Sequence, residues 1–362
     1  MSDSLNTFVD SICKESHLRV ENDFGDGFVR LKIDEAQRRQ AEQDIRCSED
    51  VLIELLRNSR DAHARVLFVA LNKIGSVRRI TIIDDGEGVP HKMHELIFEP
   101  RVTSKLDSSH IDKWGVHGRG MALYSIKTNT QEAYVATSEK GLGCAIVVQS
   151  DTEKLKEKAD QSSFPNFDFE SNNTVKIKGP KNLIRCACEF AIEHRNTLLV
   201  YVGSPVEIAT TLYSFGVSSV SKIDRIFQSD LSEIPLCKRL AFAPDEQSFV
   251  QIASDLGLPI SSRTARRIMD GELKAQDSLI DVIQNHLIVK STNKGSNATK
   301  KRTASKRGKI YLAEDDLREF KDGVSQSFSS LAKSYYLEND VDVKVQTKPD
   351  KIVVEIPLIQ HE

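Results

Sequence analysis

The sequence has no uninterrupted run of about 18 apolar residues, so it offers no ordinary membrane span. Its opening stretch, MSDSLNTFVDSICKESHLRV, lacks a basic segment followed by an apolar one and does not read as a secretion signal. An excess of one charge is also missing: 50 Lys and Arg stand against 53 Asp and Glu, for a net charge of −3. A chain so balanced is no whole-length polyanion binder, and any nucleic-acid contact must come from a local patch. The six cysteines are scattered, and only Cys186 and Cys188 lie close together. C-x-C in a helical-looking stretch is poor geometry for a tetrahedral metal site without further ligands. Buried free thiols in a reducing cytoplasm are the better reading. No internal repeat is present.

What is there suits two or three domains: 362 residues, of which 39% are hydrophobic and 28% charged. Residues 1–45 read as a mixed, largely polar lead-in. A helix is expected from Ser48 as N-cap, with Glu49 and Asp50 in its first turn and Val51, Leu52, Leu55, Leu56 and Ala62 at helical spacing. The β-branched run Arg79–Ile83 predicts a strand that stops at Asp84-Asp-Gly-Glu-Gly88, a tight loop. Residues 91–114 read as a long connection, and Gly115–Gly120 opens a helix over Met121–Lys127. Strands at Ala133–Thr137 and Cys144–Gln149 flank a hairpin turn, and a third strand is expected at Thr174–Lys178. A helix over 181–195 and a strand at Leu198–Val202 follow. Helices mixed with hairpins predict an α/β two-layer sandwich rather than a doubly wound parallel sheet.

Three stretches could carry chemistry. Glu54, Asn58 and Asp61 stand at i, i+4 and i+7 and share one helix face. Two carboxylates and an amide so aligned can present a water-activating base beside an oxygen ligand for Mg²⁺; a solvated polar face gives the same pattern. Asp84 ends a strand, and Gly86 and Gly88 let backbone approach a flat ligand closely, although an ordinary turn reads the same way. Gly115, His117, Gly118, Arg119 and Gly120 form a second glycine loop before a helix, where free backbone N–H groups bind phosphate. The loop is not a Walker sequence, which would need Gly-Lys-Ser/Thr, and no strand precedes it as a dinucleotide fingerprint requires.

The order of these pieces is more specific than any one of them. ELLRNSRDA (54–62), DDGEGVP (84–90), IFEPRVTSK (97–105), GVHGRGMALYSIK (115–127) and NTVKIKG (173–179) together resemble the GHKL superfamily, named for gyrase, the heat-shock chaperones, histidine kinases and MutL. The resemblance covers roughly residues 45–205 and implies a Bergerat ATP-binding fold that uses ATP and Mg²⁺. It implies Glu54 as the base that activates water and Asn58 as the Mg²⁺ ligand. It further implies Asp84 as acceptor for the adenine amine, with Gly86 and Gly88 lining the base pocket. Residues 91–114 would be the ATP lid, in which Lys105 could reach phosphate. Gly115, Gly118 and Gly120 would contact phosphate, and Thr174 would bridge to Asp84 through water. IFEPRVTSK is similar to histidine kinases, whereas Glu54 with Asn58–Ala62 is similar to topoisomerase and MutL ATPases. His17 lacks the helical hairpin and proline of a phosphoacceptor, so hydrolysis is preferred to phosphotransfer. His91 and His94 read as lid surface.

Beyond about residue 222 the chain becomes mainly helical. Phe249–Pro259 followed by Ser261–Ile268 reads helix, turn, helix, with Arg263, Arg266 and Arg267 on its outer side. These residues are either possible DNA contacts or a solvated face, and the B subunit of type VI topoisomerases also carries a small helical module after its ATPase domain. Residues 290–309 hold eight Lys or Arg and no acid, as a basic linker does. Gln346-Thr-Lys348 resembles the switch-lysine tripeptide of gyrase, but a β-turn at Pro349-Asp350 explains it equally. The expected domains are therefore 1–45 lead-in, 46–205 ATP-binding, 222–289 helical module, 290–309 linker and 310–362 a small α+β element. The function this reading supports is an ATP-gated switch, a slow cytoplasmic ATPase with a protein partner and an ATP-dependent homodimer. The alternatives are a histidine-kinase-like signalling protein and a scaffold that binds nucleotide without hydrolysis.

Overall fold

Val66-Leu-Phe-Val-Ala70 is apolar at every position and buried on both faces, the pattern of a strand covered from two sides. A computed structural model of the chain describes residues 20–33, 35–104, 110–112, 115–117, 120–169, 175–221, 223, 225, 230–293 and parts of 320–357. In chain order the elements begin with strands β1 (Val20–Gly25) and β2 (Phe28–Leu31) and helices α1 (Glu35–Asp44) and α2 (Ser48–Asp61). Strands β3 (Val66–Ile74), β4 (Val77–Asp84), β5 (Val102–Thr103), β6 (His110–Asp112) and β7 (Gly115–His117) follow, then helix α3 (Ala122–Asn129). Next come β8 (Glu132–Glu139), β9 (Gly143–Asp151), β10 (Asn166–Phe169), β11 (Val175–Lys178), α4 (Leu183–Glu193) and β12 (Leu199–Gly203). Helices α5 (Pro205–Ser219), α6 (Glu246–Asp255), α7 (Ser262–Met269) and α8 (Leu279–Asn293) precede strands β13 (Lys344–Lys348) and β14 (Lys351–Glu355).

The central sheet runs β12-β3-β4-β9-β8, with β12 parallel to β3 and all other neighbours antiparallel. Side chains alternate across it. Leu67, Val69, Ile80, Ile82 and Val148 point to the layer of α2 and α4, where Leu52, Leu56, Cys188 and Phe190 close one core. Val66, Phe68, Ala70, Ile83 and Ala145 point the other way, to Ile208 and Leu212 of α5, Phe249 of α6 and Ile268 of α7. Phe68 is fully buried there and stacks on Tyr201 at 5.1 Å; burial of such a ring contributes about 2–3 kcal/mol.

The mixed α/β character is as expected, and the helices that follow the α/β sandwich cover the sheet's second face. The expected boundary between residues 205 and 222 does not separate two units among the described residues: those before Val289 fall in one compact unit. The reason is the second apolar face of β3 and β4, which needs α5–α7 to bury it. Gly257, between α6 and α7, comes so close to Val147 that any Cβ would clash, and its carbonyl accepts from Thr81 Oγ1 at 3.1 Å. The lead-in is likewise built in part: β2 pairs with both β1 and β5, in a three-stranded sheet. Helix α2 is capped by Cys47, whose Sγ accepts from the Asp50 N–H at 3.4 Å, not by Ser48, which is buried.

The second unit, residues 289–362, contains the antiparallel hairpin β13–β14, in which Lys348 registers with Lys351. Helical positions are described at 320–321, 323–325, 328 and 332, within the segment 310–362 expected to be a small α+β element. No helix among the described residues is long and apolar enough to cross a membrane.

Candidate functional site

Helix α2 is amphipathic, and its apolar face is fixed on the sheet by Leu52, Leu55 and Leu56, each at most 1% exposed. The opposite face presents Glu54, Asn58, Ser59 and Asp61 to a cleft of about 150 Å³. Strand β4 delivers Asp84 to the same cleft, and β9 supplies Cys144 and Ile146. Phe28, Val89, Ile97, Val102 and Leu123 make its walls apolar.

Asp84 is 4% exposed. Its Oδ2 accepts from the Ser59 hydroxyl at 2.6 Å, its Oδ1 accepts from the Gly86 N–H at 2.9 Å, and the Cys144 backbone adds a third bond. Burial raises the Asp84 pKa above the ordinary carboxylate value, and these hydrogen bonds oppose the rise. A carboxylate has about four acceptor sites, so three protein partners leave room for one donor from a ligand. Burial also pushes the Cys144 thiol up, leaving it a neutral, apolar contact.

The loop after Asp84 is pinned from several sides. Asp85 accepts from the Arg65 and Val66 N–H groups at 2.7 and 2.8 Å, and Glu87 N–H donates to the Ala62 carbonyl at 2.9 Å. Gly88 has φ 66° and lies against the backbone of Glu139, where no Cβ fits. It lines the cleft, as expected. Gly86 instead packs against the Ala62 carbonyl, where a Cβ would lie 2.6 Å away, so its smallness serves the joint between the loop and α2. Val89 N–H donates to Ser138 Oγ at 2.7 Å, and His94 Nε2 lies within 3.2 Å of the Val89 and Ser138 carbonyls. His94 thus braces the loop rather than standing on a surface.

Glu54 lines the cleft and is ion-paired with Arg57, which is 3% exposed. Asp61 is paired with Arg60 at 2.8 Å. Asn58 carries a buried Nδ2 that has no hydrogen-bond partner among the described residues. An amide left in that state is free to turn its oxygen to a cation, and the hard oxygen donors of Asn58, Glu54 and Asp61 fit Mg²⁺.

In the second glycine loop, Gly115 and His117 lie in strand β7, paired with β6 as a hairpin. The helix expected over Met121–Lys127 is α3, which begins at Ala122 with Met121 as its N-cap. Gly120 reaches the cleft beside Ala122 and Leu123, and its carbonyl accepts from the Arg101 N–H at 2.9 Å. Lys105, Gly118, Arg119 and Thr174 lie outside the described residues, as do His17 and most of the basic segment 290–309. The start of the expected lid is packed, with Met93, Ile97, Phe98 and Val102 buried in the core.

Away from the cleft, Arg263, Arg266 and Arg267 are exposed on α7, whose Ala265 and Ile268 are buried. Arg266 pairs with Asp270 at 3.7 Å and Arg267 with Glu272 at 2.9 Å, which dilutes the positive field of this face.

Ser59 and Phe28 are among the lining residues that escaped the sequence reading. Ser59 sits inside a motif whose neighbours drew all the attention, although a hydroxyl one position after Asn58 was visible. Phe28 comes from the lead-in, and only its Gly-Asp-Gly-Phe hairpin signal could have flagged it.

Residues 45–178 match a family model described as histidine kinase-, DNA gyrase B- and HSP90-like ATPase. A DNA mismatch repair protein MutL from Thermus aquaticus is 44% identical over 79 residues, 22% of this chain and 14% of the relative. MutL from Geobacillus thermodenitrificans is 30% identical over 112 residues, 30% of this chain and 17% of the relative. The chain thus spans less than a fifth of the length of these relatives. A solved structure of full-length ShkA in complex with AMPPNP aligns at 14% identity over 76% of this chain and 64% of that one; its TM-score of 0.22 carries no argument. The kinship to type VI topoisomerase B subunits draws nothing from these matches.

Proposed function

From the premise that residues 45–178 form a domain of the GHKL superfamily of ATPases, we propose that the chain binds Mg·ATP in this cleft and hydrolyses it slowly, as an ATP-gated conformational switch. The observation that carries the proposal is Asp84: a buried carboxylate with one acceptor site left, at the base of an apolar cleft. It accepts the amine of adenine there, and the apolar walls cover the ring's faces. Guanine presents a carbonyl at the same position and would leave a buried carboxylate facing an acceptor.

Glu54 then takes the proton from the attacking water, and Asn58 offers its amide oxygen to Mg²⁺. Magnesium, when bound, neutralises phosphate charge. The pair with Arg57 holds the Glu54 carboxylate in one place on α2. It also favours a second reading, because a carboxylate engaged by a guanidinium is less available as a base. In that reading nucleotide is bound and not hydrolysed, and the protein is a nucleotide-gated scaffold.

The wider roles rest on less. The relatives are DNA mismatch repair proteins, and α7 exposes three arginines, which supports a weak, salt-sensitive DNA contact. A protein partner, an ATP-dependent homodimer and a cytoplasmic location belong to the same proposal, and the described cysteines are all free, as a reducing compartment allows.

Phosphate release from γ-labelled ATP, followed on both phosphate and protein, tests the reaction. Free phosphate from the wild type and none from Glu54→Gln supports hydrolysis. Label retained on protein would instead indicate a kinase like the histidine kinases. ATP bound with neither product supports the scaffold.

A further inference from the structure

The hairpin of β1 and β2 joins the rim of the cleft at two places. At its tip, Asp26 pairs with Lys92 at 2.7 Å and with Lys140 at 3.3 Å. Lys92 follows the loop that begins at Asp84, and Lys140 lies in the turn between β8 and β9. Lys92 Nζ also donates to the Phe24 carbonyl at 3.2 Å. Further along, Val29 and Arg30 pair with Thr103 and Val102, and Leu31 N–H donates to the Arg101 carbonyl at 3.0 Å. Arg101 in turn donates its N–H to the Gly120 carbonyl, at the entry to α3. Between these two anchorages stands Phe28, 8% exposed, which lines the cleft together with Ile97 and Val102.

We propose that this hairpin is a wall of the nucleotide site built from the same chain: Phe28 packs on the bound base, and the Asp26–Lys92–Lys140 bridge keeps the wall closed while nucleotide is held. The inference rests on the reading of the cleft as an ATP site. Two features argue for a wall rather than a structural appendage. First, Phe28 reaches the cleft beside Ile97 and Val102, so removing the hairpin would expose both an apolar wall and the unpaired edge of β5. Second, the tip is fastened at Lys92, just past the cleft-lining residues Glu87–Val89, and at Lys140, in the turn whose Gly141 N–H donates to the Glu87 carbonyl at 2.6 Å. The Asp26 carboxyl is held below the usual range by Lys92 and Lys140, so the bridge persists through neutral pH. Its partners are solvent-exposed, so each pair is weak and screened by salt. A weak latch acts on the opening rate of a wall that strand pairing already holds in register.

The test is dissociation of a fluorescent ATP analogue, measured by stopped flow on the full chain. Wild type is compared with Phe28→Ala, Asp26→Asn and, as a control on the site itself, Asp84→Asn. Phe28→Ala should release the analogue about tenfold faster. Asp26→Asn should release it about two- to fivefold faster, a difference that disappears near about 0.5 M salt, while the melting temperature without nucleotide stays put. Asn tolerates the φ of 53° at position 26, so this variant tests the latch even if Phe28→Ala folds poorly. Wild-type release rates in both variants, with Asp84→Asn defective, would overturn the wall and leave the ATP reading standing. No analogue bound by wild type would overturn that reading, and this inference with it.

Discussion

The hydroxyl of Ser59 lies 2.6 Å from Oδ2 of the buried Asp84, joining helix α2 to the end of strand β4 at the base of the cleft. A hydrogen bond to a buried charge is worth more than one between neutral groups. Ser59→Ala should therefore cost about 1.5–3 kcal/mol of stability at neutral pH. The burial that raises the Asp84 pKa also means that acid titrates this carboxylate before an ordinary one. The loss should therefore shrink as pH falls through that raised value, and urea melts across an acid-to-neutral series would show it.

Asp84→Asn should separate stability from function. Burial raises the Asp84 pKa, so the folded chain binds this proton more tightly than the unfolded chain does. The associated stability is fully present below the ordinary value of 3.8 and is lost as pH rises through the raised one. The Asn variant carries no such penalty. Thermal melts from acid to neutral pH should show the variant gaining on wild type as pH rises, and a constant difference would refute the linkage.

Glu54 has two duties, and substitutions divide them. Glu54→Ala strips a partner from Arg57, which is 3% exposed, and should destabilise by about 3 kcal/mol. Glu54→Gln keeps a hydrogen-bond acceptor in place and should cost less than about half of that while ending turnover. Phosphate release and melting temperature measured on both variants would separate loss of the base from loss of the fold.

Asn58 should behave in the opposite way. Its Nδ2 is buried without a described partner, so Asn58→Ala gives up no hydrogen bond and should change stability by less than about 1 kcal/mol. Mg²⁺-dependent nucleotide binding should nonetheless fall on the order of tenfold or more, read by titration with and without the metal.

If α7 touches DNA, replacing Arg263, Arg266 and Arg267 with Ala should weaken binding uniformly across sequences. It should also reduce the slope of log K against log salt by at most about 3, one for each lost phosphate contact. An unchanged slope would mark α7 as a solvated face.

Much of the site was legible because local pattern and tertiary role coincide in it. Glu54, Asn58 and Asp61 share a helix face, and the structure brings all three to the cleft with Asp84 and Gly88. The second apolar face of the sheet was visible in Val66–Ala70 but went unused, since a short apolar run does not say what covers it. Helix α5 was missed although Ser204 and Glu207 form a capping box there and Pro205 stands at its first position. The hairpin around Asp26-Gly27, both with positive φ, carried the usual Asp-Gly signal but stood in a polar stretch with only Phe28, Val29 and Leu31 buried to mark it. Gly115–His117 misled because glycines before a helix fit a phosphate loop and a hairpin equally well. Long-range pairing, here β2 with β5, leaves no mark on periodicity.

The account stands or falls on selective adenine recognition by Asp84. Calorimetric titration of the full chain with ATP and with GTP, each with Mg²⁺, on wild type and Asp84→Asn, tests it most directly. The account predicts that wild type binds ATP at least about tenfold more tightly than GTP, and that Asp84→Asn loses this preference together with most of its ATP affinity. Equal binding of ATP by wild type and a folded Asp84→Asn would contradict it.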